Sequence, residues 1–311
     1  MEFSDLMPKL TIRNRKERKY YSFIYSYRTQ KENIMKHIEM GIGYKIPEND
    51  ILGKKTDHFY CSIIEKRFKK NFVILKNNYE KFLVKYGPLL LEKVLNDFGM
   101  DFTYNSNKIE GSTLNRRESW LLLKENITPN HRKFSDALEI YTHMKVYNLL
   151  LDSKEELSMK LILKWHELLY KETKHHAGTF RDVNVGIWGS DVKFPDYQNV
   201  ISLMKELIDW YNRKKEVYHP VLLAGLFKFK FVNIHPFQDG NGRMSRLLMN
   251  YLLYKNGHPM LNIEYIKRKG YYTALERSNL QKNELIFVNW FFKYYMNNDY
   301  FSYYYGSNEL K

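Results

Sequence analysis

The chain has 311 residues, of which 44% are hydrophobic, 16% are aromatic and 27% are charged. This composition excludes a disordered chain, and the length predicts one large domain with an appendage, or two domains. The single cysteine, Cys61, excludes an intramolecular disulfide and is typical of a reducing compartment. Because the sequence has neither a long uninterrupted apolar run nor a signal-peptide pattern, we expect a cytoplasmic protein without a membrane-spanning helix.

Lysine and arginine outnumber aspartate and glutamate by 50 to 35, which gives a formal net charge of +15. The excess is spread along the whole chain, and its densest patch lies at 13–19. A basic balance of this kind leaves a nucleic-acid partner open. No named nucleic-acid-binding motif accompanies the charge, so we favour a compositional bias over a nucleic-acid partner.

Charged stretches with apolar residues at helical spacing predict helices over 16–40 and 58–86. Glycine and proline at 41–53 indicate a loop between them. A shorter helical run follows Pro88 and is expected to end near Gly99. We interpret residues 1–95 as an N-terminal helical accessory region whose role the sequence does not reveal.

The rest of the chain is expected to form a second unit, residues 96–300, with a tail at 301–311. Its apolar periodicity predicts a mainly α-helical fold. The expected helices cover 114–126, 133–151, 157–172, 197–213, 219–233, 242–256 and 270–297, the last with a break at 278–283.

One segment, Thr179–Pro195, departs from the helical pattern. Val183, Val185 and Ile187 alternate with polar residues or glycine, and a Gly-Ser-Asp turn follows them. This pattern indicates a strand or hairpin, although an ordinary connecting loop is equally compatible with it. A hairpin would offer an edge to which an extended partner segment could pair.

The string His-Pro-Phe-Gln-Asp-Gly-Asn-Gly-Arg-Met-Ser-Arg at 235–246 is the most informative part of the sequence. Helical periodicity precedes and follows it, so we expect a polar loop that leads directly into a helix N-terminus. The free N–H groups and the positive dipole end of such a terminus are suited to phosphate. The flexibility of Gly240 and Gly242 permits the close backbone approach that an anion cradle needs.

The charged side chains of this string complete a site for substitution at phosphorus. Arg243 and Arg246 lie one helical turn apart and supply two cations. Asp239 is positioned to hold Mg²⁺ shared with phosphate oxygens. His235 has an ordinary pKa near neutrality and can take a proton from a hydroxyl.

The string resembles the signature of the Fic (Fic/Doc) family, His-x-Phe-x-(Asp/Glu)-Gly-Asn-Gly-Arg-x-x-Arg, and matches every fixed position. The resemblance implies a Fic-type helical bundle with a β-hairpin flap, and transfer of AMP from Mg-ATP to a Ser, Thr or Tyr hydroxyl of a protein. It implies that His235 is the general base, that Asp239 holds Mg²⁺, and that Phe237 is a buried anchor. The implied phosphate-binding residues are Gly240, Asn241, Gly242, Arg243 and Arg246.

Two further segments extend the resemblance. Gly178–Arg181 and the valine and isoleucine that follow look like the family's flap, which implies that Val185 and Ile187 dock the target chain. Tyr272, beside Tyr271, and Asn279 match positions that surround the adenosine in relatives.

The segment Ser106–Gly111 resembles the family's inhibitory motif, (Ser/Thr)-x-x-x-Glu-(Gly/Asn). Ser106 and Glu110 share one face of a helix expected at about 101–111, and Gly111 is a plausible C-cap. The resemblance implies that Glu110 pairs with Arg246 and blocks productive placement of the γ-phosphate, so that the enzyme is autoinhibited.

The expected partners are ATP and a protein target that the sequence does not identify, with the chain itself among the candidates; a homodimer is a further open alternative. Removal of AMP from a modified protein at the same site, with Glu110 positioning water, is the second function that we keep open. The toxin branch of the family, which has kinase activity, lacks the first glycine of the signature. Gly240 occupies that position here, so a kinase is disfavoured. A non-catalytic nucleic-acid-binding protein is the third alternative.

The pair His175-His176 lacks further ligands at metal-binding spacing, so we expect it to lie in an ordinary polar loop.

Overall fold

The computed structural model describes residues 8–15, 17–28 and 34–302. Near the N-terminus it contains a three-stranded antiparallel sheet in the order β1-β2-β3. The strands are β1 (Leu10–Arg15), β2 (Arg18–Arg28) and β3 (Met35–Gly43). The helix that we predicted over 16–40 is therefore wrong.

The side chains of the sheet explain this correction. Phe23 and Tyr25 on β2 and Ile38 on β3 are buried, and Tyr25 pairs with Ile38 across the two strands. Alternation along β2 thus buries one face of the sheet, which is the period of a strand and not of a helix. Charged and polar residues at the strand ends obscure that period in the sequence.

The described residues form eleven α-helices, so the fold is mainly α-helical as expected. They are α1 (Asn49–Ile63), α2 (Lys69–Lys85), α3 (Pro88–Ile109), α4 (Arg116–Glu125), α5 (Phe134–Asp152), α6 (Met159–Tyr170), α7 (Val200–Lys214), α8 (Pro220–Ile234), α9 (Asn241–Lys255), α10 (Arg268–Leu280) and α11 (Glu284–Asn297). A π-helical segment, Ile64–Phe68, joins α1 to α2. The helices predicted from residue 114 onward are confirmed to within a few residues.

The helical run that we expected to end near Gly99 instead continues to Ile109. Gly99 lies inside α3, and a Cβ atom there would come within 2.3 Å of the Tyr147 ring on α5. The glycine therefore permits close packing of two helices and does not end one. The Tyr147 hydroxyl also donates a hydrogen bond to the backbone carbonyl of Leu95 in α3, at 2.8 Å.

Helix α8 forms the centre of the core. Nearly every one of its residues is buried, and it packs against α7, α9 and α11. Helix α3 packs against α5 and α9. This arrangement brings the C-terminal end of α3 close to the N-terminal end of α9, which lies more than 130 residues later in the chain.

The N-terminal sheet packs against the helices through aromatic side chains. Phe23 contacts Phe59 on α1 with 5.4 Å between ring centroids. Tyr25 contacts Phe68, and its hydroxyl donates a hydrogen bond to the side-chain Oδ1 of Asn289 on α11, at 2.7 Å.

The flap at 179–195 contains one antiparallel bridge, between Gly186 and Lys193. The segment folds back on itself there, without the continuous ladder of an extended hairpin. Among the helices that the structure describes, none is both long and apolar enough to cross a membrane.

Candidate active site

The loop between α8 and α9 is fixed by the side chain of Asn241. Its Oδ1 accepts a hydrogen bond from the Phe237 N–H at 2.9 Å, and its Nδ2 donates to the Phe237 carbonyl at 2.8 Å. Helix α8 ends at His235 in the left-handed conformation, and Gly240 caps α9 with φ +82°. The N–H groups in the first turn of α9 lack helical acceptors and are available to an anion.

Gly240, at the end of the loop, and Gly242, in the first turn of α9, each leave room for a neighbouring side chain. A Cβ atom at Gly240 would lie 2.4 Å from the Tyr170 ring. A Cβ atom at Gly242 would lie 2.1 Å from Oε1 of Glu110. The carboxylate of Glu110 thus lies directly against the first turn of α9.

His235 carries a defined tautomer. Its Nδ1 lies 3.2 Å from the Val232 carbonyl oxygen, which can only accept a hydrogen bond, so Nδ1 carries the proton and Nε2 has a free lone pair. Burial lowers the pKa of His235 to about 4. The imidazole is therefore neutral at physiological pH and can accept a proton.

Arg181 connects the flap to this loop. Its side chain is 3% exposed; Nε donates to the His235 carbonyl at 2.8 Å, and Nη2 donates to the Pro195 carbonyl. Its backbone N–H donates to the Pro236 carbonyl at 2.9 Å. The two ends of the flap are thereby attached to the backbone that carries the candidate base.

His166, on α6, contacts the loop between α8 and α9. Its Nδ1 accepts a hydrogen bond from the Gly178 N–H at 2.9 Å, so its Nε2 carries the proton and donates to the Asp239 carbonyl at 3.1 Å. Its ring stacks on Phe237 with 3.6 Å between centroids. Phe237 is fully buried, as expected of an anchor.

Asp239 is an ionised carboxylate in a basic environment. Its Oδ2 lies 2.9 Å from Lys174 Nζ, and its Oδ1 accepts a hydrogen bond from the Gly240 N–H at 2.6 Å. Burial would raise its pKa, but Arg243 and Lys174 together hold that pKa below its ordinary value. A partly exposed, ionised carboxylate fits the oxygen-ligand preference of Mg²⁺, provided that Lys174 gives way.

Arg243 is buried and directed by three side chains. Its Nη1 donates to Glu139 and, at 3.3 Å, to the side-chain Oδ1 of Asn107. Its guanidinium lies over the Tyr170 ring, 4.8 Å from the centroid. These contacts hold the side chain in one orientation beside the α9 N-terminus.

Arg246 is bound to the end of α3. Its Nε donates to Ser106 Oγ at 3.0 Å, and its Nη2 donates to the Ser106 carbonyl and to Glu110 Oε1, both at 2.8 Å. The side chain of Arg246 is 1% exposed, and that of Glu110 is 26% exposed. Helix α3 ends at Glu110, and Gly111 follows in the left-handed region with φ +98°.

A pocket of about 400 Å³ opens beside these residues. Glu110, His235 and Gly242 form part of its wall, together with the flap and α10. The predicted residues Ile187, Tyr272 and Asn279 also line it. Other predicted site residues lie outside its lining: Ser106, Gly111, Val185, Asp239, Gly240, Asn241, Arg243 and Arg246.

Two of the α10 residues also make contacts that close this side of the pocket. The Tyr272 hydroxyl donates to the Ile109 carbonyl at 3.2 Å, which joins α10 to the end of α3. Asn279 donates to the side-chain carbonyl of Asn233 on α8.

The sequence interpretation missed several residues that shape the site, namely Glu139, His166, Lys174, Arg181 as a flap anchor, and Phe194. Each lies roughly 40 to more than 100 residues before the residue that it contacts. No local spacing pattern could have identified them, because each acts only through a tertiary contact.

Comparison with known proteins gives similarities in sequence, in fold and to a family. The chain is 32% identical over 226 residues to the protein adenylyltransferase Fic of Aedes aegypti, covering 70% of this chain and 45% of that protein. It is 35% identical over 181 residues to the protein adenylyltransferase Fic of Drosophila willistoni, covering 57% of this chain and 36% of that protein. The chain therefore matches less than half the length of these relatives.

The fold is similar to that of a Fic domain containing signaling protein from Bacteroides thetaiotaomicron. The TM-score is 0.67 at 25% identity, and the match covers 73% of this chain and 94% of that one. Residues 156–253 match the Fic/DOC family, and the complete signature from His235 to Arg246 lies within them. The chain therefore contains a domain of the Fic/DOC family.

Proposed function

We propose that this protein is an adenylyltransferase that transfers AMP from ATP to a Ser, Thr or Tyr hydroxyl of a target protein. The observation that carries the proposal is the juxtaposition, around one pocket, of His235 with a free Nε2 and of the first turn of α9 at Gly242. A base for the nucleophile and a cradle for the phosphates are the two components that such a transfer needs.

In the proposed reaction, the target hydroxyl oxygen attacks the α-phosphorus of ATP. Nε2 of His235 takes the hydroxyl proton as the new P–O bond forms. The bond between the α-phosphorus and the bridging oxygen breaks, and pyrophosphate leaves with that oxygen. The neutral imidazole is ready to accept this proton because burial lowers the pKa of His235 to about 4.

The phosphates are proposed to bind at the N-terminus of α9. The backbone N–H groups of Asn241 and Gly242 would donate to phosphate oxygens, as would that of Gly240 once Asp239 Oδ1 no longer accepts from it. Arg243 and Arg246 would offset the negative charge. Asp239 would hold Mg²⁺, which neutralises charge on the phosphates when bound. Tyr272 and Asn279, which line the same pocket, would contact the adenosine.

The flap is proposed to dock the target. Ile187 is half-exposed and borders the pocket beside His235, so a target segment that pairs with the flap would bring its hydroxyl towards the base. Val185 would contribute to the same edge.

We further propose that the resting protein is autoinhibited by Glu110. Its carboxylate lies 2.8 Å from Arg246 Nη2 and against Gly242, so it competes with a phosphate group for the same cation and the same space. Release of Glu110 would free both.

Removal of AMP from a modified target is the second candidate function. Glu110 lines the same pocket as His235, and a carboxylate at this place could orient a water molecule for attack on phosphorus. The transferase is favoured because the relatives with 32% and 35% identity are named protein adenylyltransferase Fic.

Labelled ATP tests the proposal. The Glu110→Gly protein is incubated with cell extract and with ATP labelled at either the α- or the γ-phosphate, and modified proteins are identified by mass spectrometry. The proposal expects protein-bound label from α-labelled ATP only, with AMP as the added group. Label from γ-labelled ATP would instead indicate phosphoryl transfer, and no protein-bound label would reject the transferase.

A further inference from the structure

The imidazole of His235 is covered by an aromatic ring from the flap. The Phe194 ring stacks on it with 3.9 Å between centroids and 25° between the planes. Both residues line the pocket, so the stack forms part of the wall next to the proposed reaction centre.

Phe194 is held in this position by the backbone that follows it. The carbonyl of Pro195 accepts a hydrogen bond from Arg181 Nη2, while Nε of the same guanidinium donates to the His235 carbonyl. One buried, planar side chain therefore sets the spacing between the backbone of the stacking ring and the backbone of the base. A second contact, from Ser190 to Glu276 on α10 at 2.8 Å, holds the flap near its tip.

His235 itself has only one side-chain hydrogen bond among the described residues, from Nδ1 to the Val232 carbonyl at 3.2 Å. That contact restrains one edge of the ring but leaves rotation about the contact open. A ring stacked on the face removes this freedom, because the imidazole would collide with the Phe194 ring if it tilted.

We infer that Phe194 is a positioning residue for the candidate base: its ring fixes the plane of the His235 imidazole, with Nε2 available to the pocket, and excludes water from that face. The inference rests on the proposed function for its catalytic meaning, but the restraint on the ring is a property of the protein without substrate. The flap would thus act on the base as well as on the target.

The charged surroundings of His235 support a role for burial. Burial is the largest cause of its low pKa, and the nearby Arg181 guanidinium lowers the pKa further. Glu110 and Asp239 act in the opposite direction and would raise it. Because burial prevails over the two carboxylates, loss of the Phe194 ring, which covers one face of the imidazole, is expected to raise the pKa of His235.

The first test measures the His235 ring directly, by NMR titration of the protein without nucleotide between about pH 5 and 8. In the wild type, His235 should stay neutral over this range. In Phe194→Ala, exposure should raise its pKa towards the ordinary value of about 6.5, so that it titrates within the range. Phe194→Tyr, which retains a ring, should behave as the wild type.

Trp188→Ala is the matched control, because Trp188 is an aromatic residue of the same flap whose side chain is fully exposed. It should leave the His235 titration unchanged. An unchanged titration in Phe194→Ala, or an equal change in Trp188→Ala, would overturn the inference. Phe194 is only partly buried, so the alanine variant is expected to fold.

The second test measures AMP transfer in the Glu110→Gly background. Phe194→Ala should lower kcat by about 10- to 100-fold and leave the KM for ATP within about twofold, because misplacement of a base affects the chemical step. The acid limb of its pH profile should move to higher pH, and Phe194→Tyr should restore both. A loss confined to KM would contradict a positioning role. If the Glu110→Gly protein transfers no AMP at all, the proposed function fails, and the titration still decides whether Phe194 covers the ring and shields it from water.

Discussion

Substitution of Glu110 by glycine is the sharpest perturbation of the proposed inhibition. The change removes the carboxylate that accepts from Arg246 Nη2 at 2.8 Å, while the two hydrogen bonds from Arg246 to Ser106 remain. The loss is therefore one charge-assisted hydrogen bond, which is worth about 1.5–3 kcal/mol. Glycine is compatible with the backbone there, because Glu110 lies just beyond the last turn of α3 and Gly111 follows it.

This free energy sets the expected gain in activity. If the pair must break before a phosphate binds Arg246, removal of the pair should raise AMP transfer by about 10- to 150-fold, since each 1.4 kcal/mol corresponds to a factor of ten. Glu110→Gln, which retains the shape but not the charge, should give a smaller gain. Arg246→Ala in the Glu110→Gly background should abolish the gain, because the active state needs that cation.

The assay is autoradiography of the purified variants with α-labelled ATP, with Glu125→Gly as the matched control. Glu125 is an exposed glutamate at the C-terminal end of α4, so its replacement changes a helix end of the same kind away from Arg246. Equal labelling of the wild type, Glu110→Gly and Glu125→Gly would refute the inhibitory role of Glu110. Lower labelling of Glu110→Gly, together with a lower melting temperature, would indicate a purely structural glutamate.

Four further outcomes are expected. In the Glu110→Gly background, His235→Ala should lower the transfer rate by about 10²–10⁴-fold while calorimetry finds ATP affinity retained; undiminished transfer would exclude His235 as the base. Asp239→Ala in that background should lose the dependence of the rate on Mg²⁺ concentration, and a metal titration like that of the parent would count against its role. Gly240→Ala should lower the free energy of unfolding by about 2–4 kcal/mol, measured with denaturant, because of its positive φ and the Tyr170 ring, whereas Gly53→Ala in α1 should raise it slightly. The free energy of unfolding should fall as the pH drops from about 6.5 towards 4, because burial lowers the folded-state pKa of several histidines and the unfolded chain then binds more protons. A denaturation midpoint that stays constant over that range would contradict this. These histidines are His143, His166, His219, His235 and His258.

Local patterns in the sequence predicted the helical part of the fold well. Helix α9 begins at Asn241, next to the predicted start, because the glycines and the apolar positions that follow define it within a few residues. The strands β1–β3 were not predicted. Aromatic residues occur at both even- and odd-numbered positions of β2, and they mask the alternation of buried and exposed residues. Gly99 was misinterpreted because close packing against Tyr147, rather than the end of a helix, requires that glycine.

The site was predictable where chemistry is contiguous in the chain and not where it depends on tertiary contacts. His235, Asp239 and the arginines lie within one short string, so residue types alone indicated phosphate chemistry. The pairing of Glu110 with Arg246 spans 136 positions and was expected only from resemblance to a family. Lys174 and Phe194 reach Asp239 and His235 from other segments, and no spacing rule connects them.

The edge of the N-terminal sheet gives the basic patch at 13–19 a meaning different from attraction to a polyanion. Strand β1 pairs with β2 on one side, and no other strand among the described residues covers its outer edge. An uncovered edge is a template for pairing with a second copy of the chain and hence for aggregation. Arg13 and Arg15 on this strand are half-exposed, and Glu39 on β3 offsets part of their charge, at 3.2 and 3.9 Å. Two such edges that approached each other would still bring like charges together. The positive charge that Glu39 leaves uncompensated would thus act against self-association of the sheet through this edge.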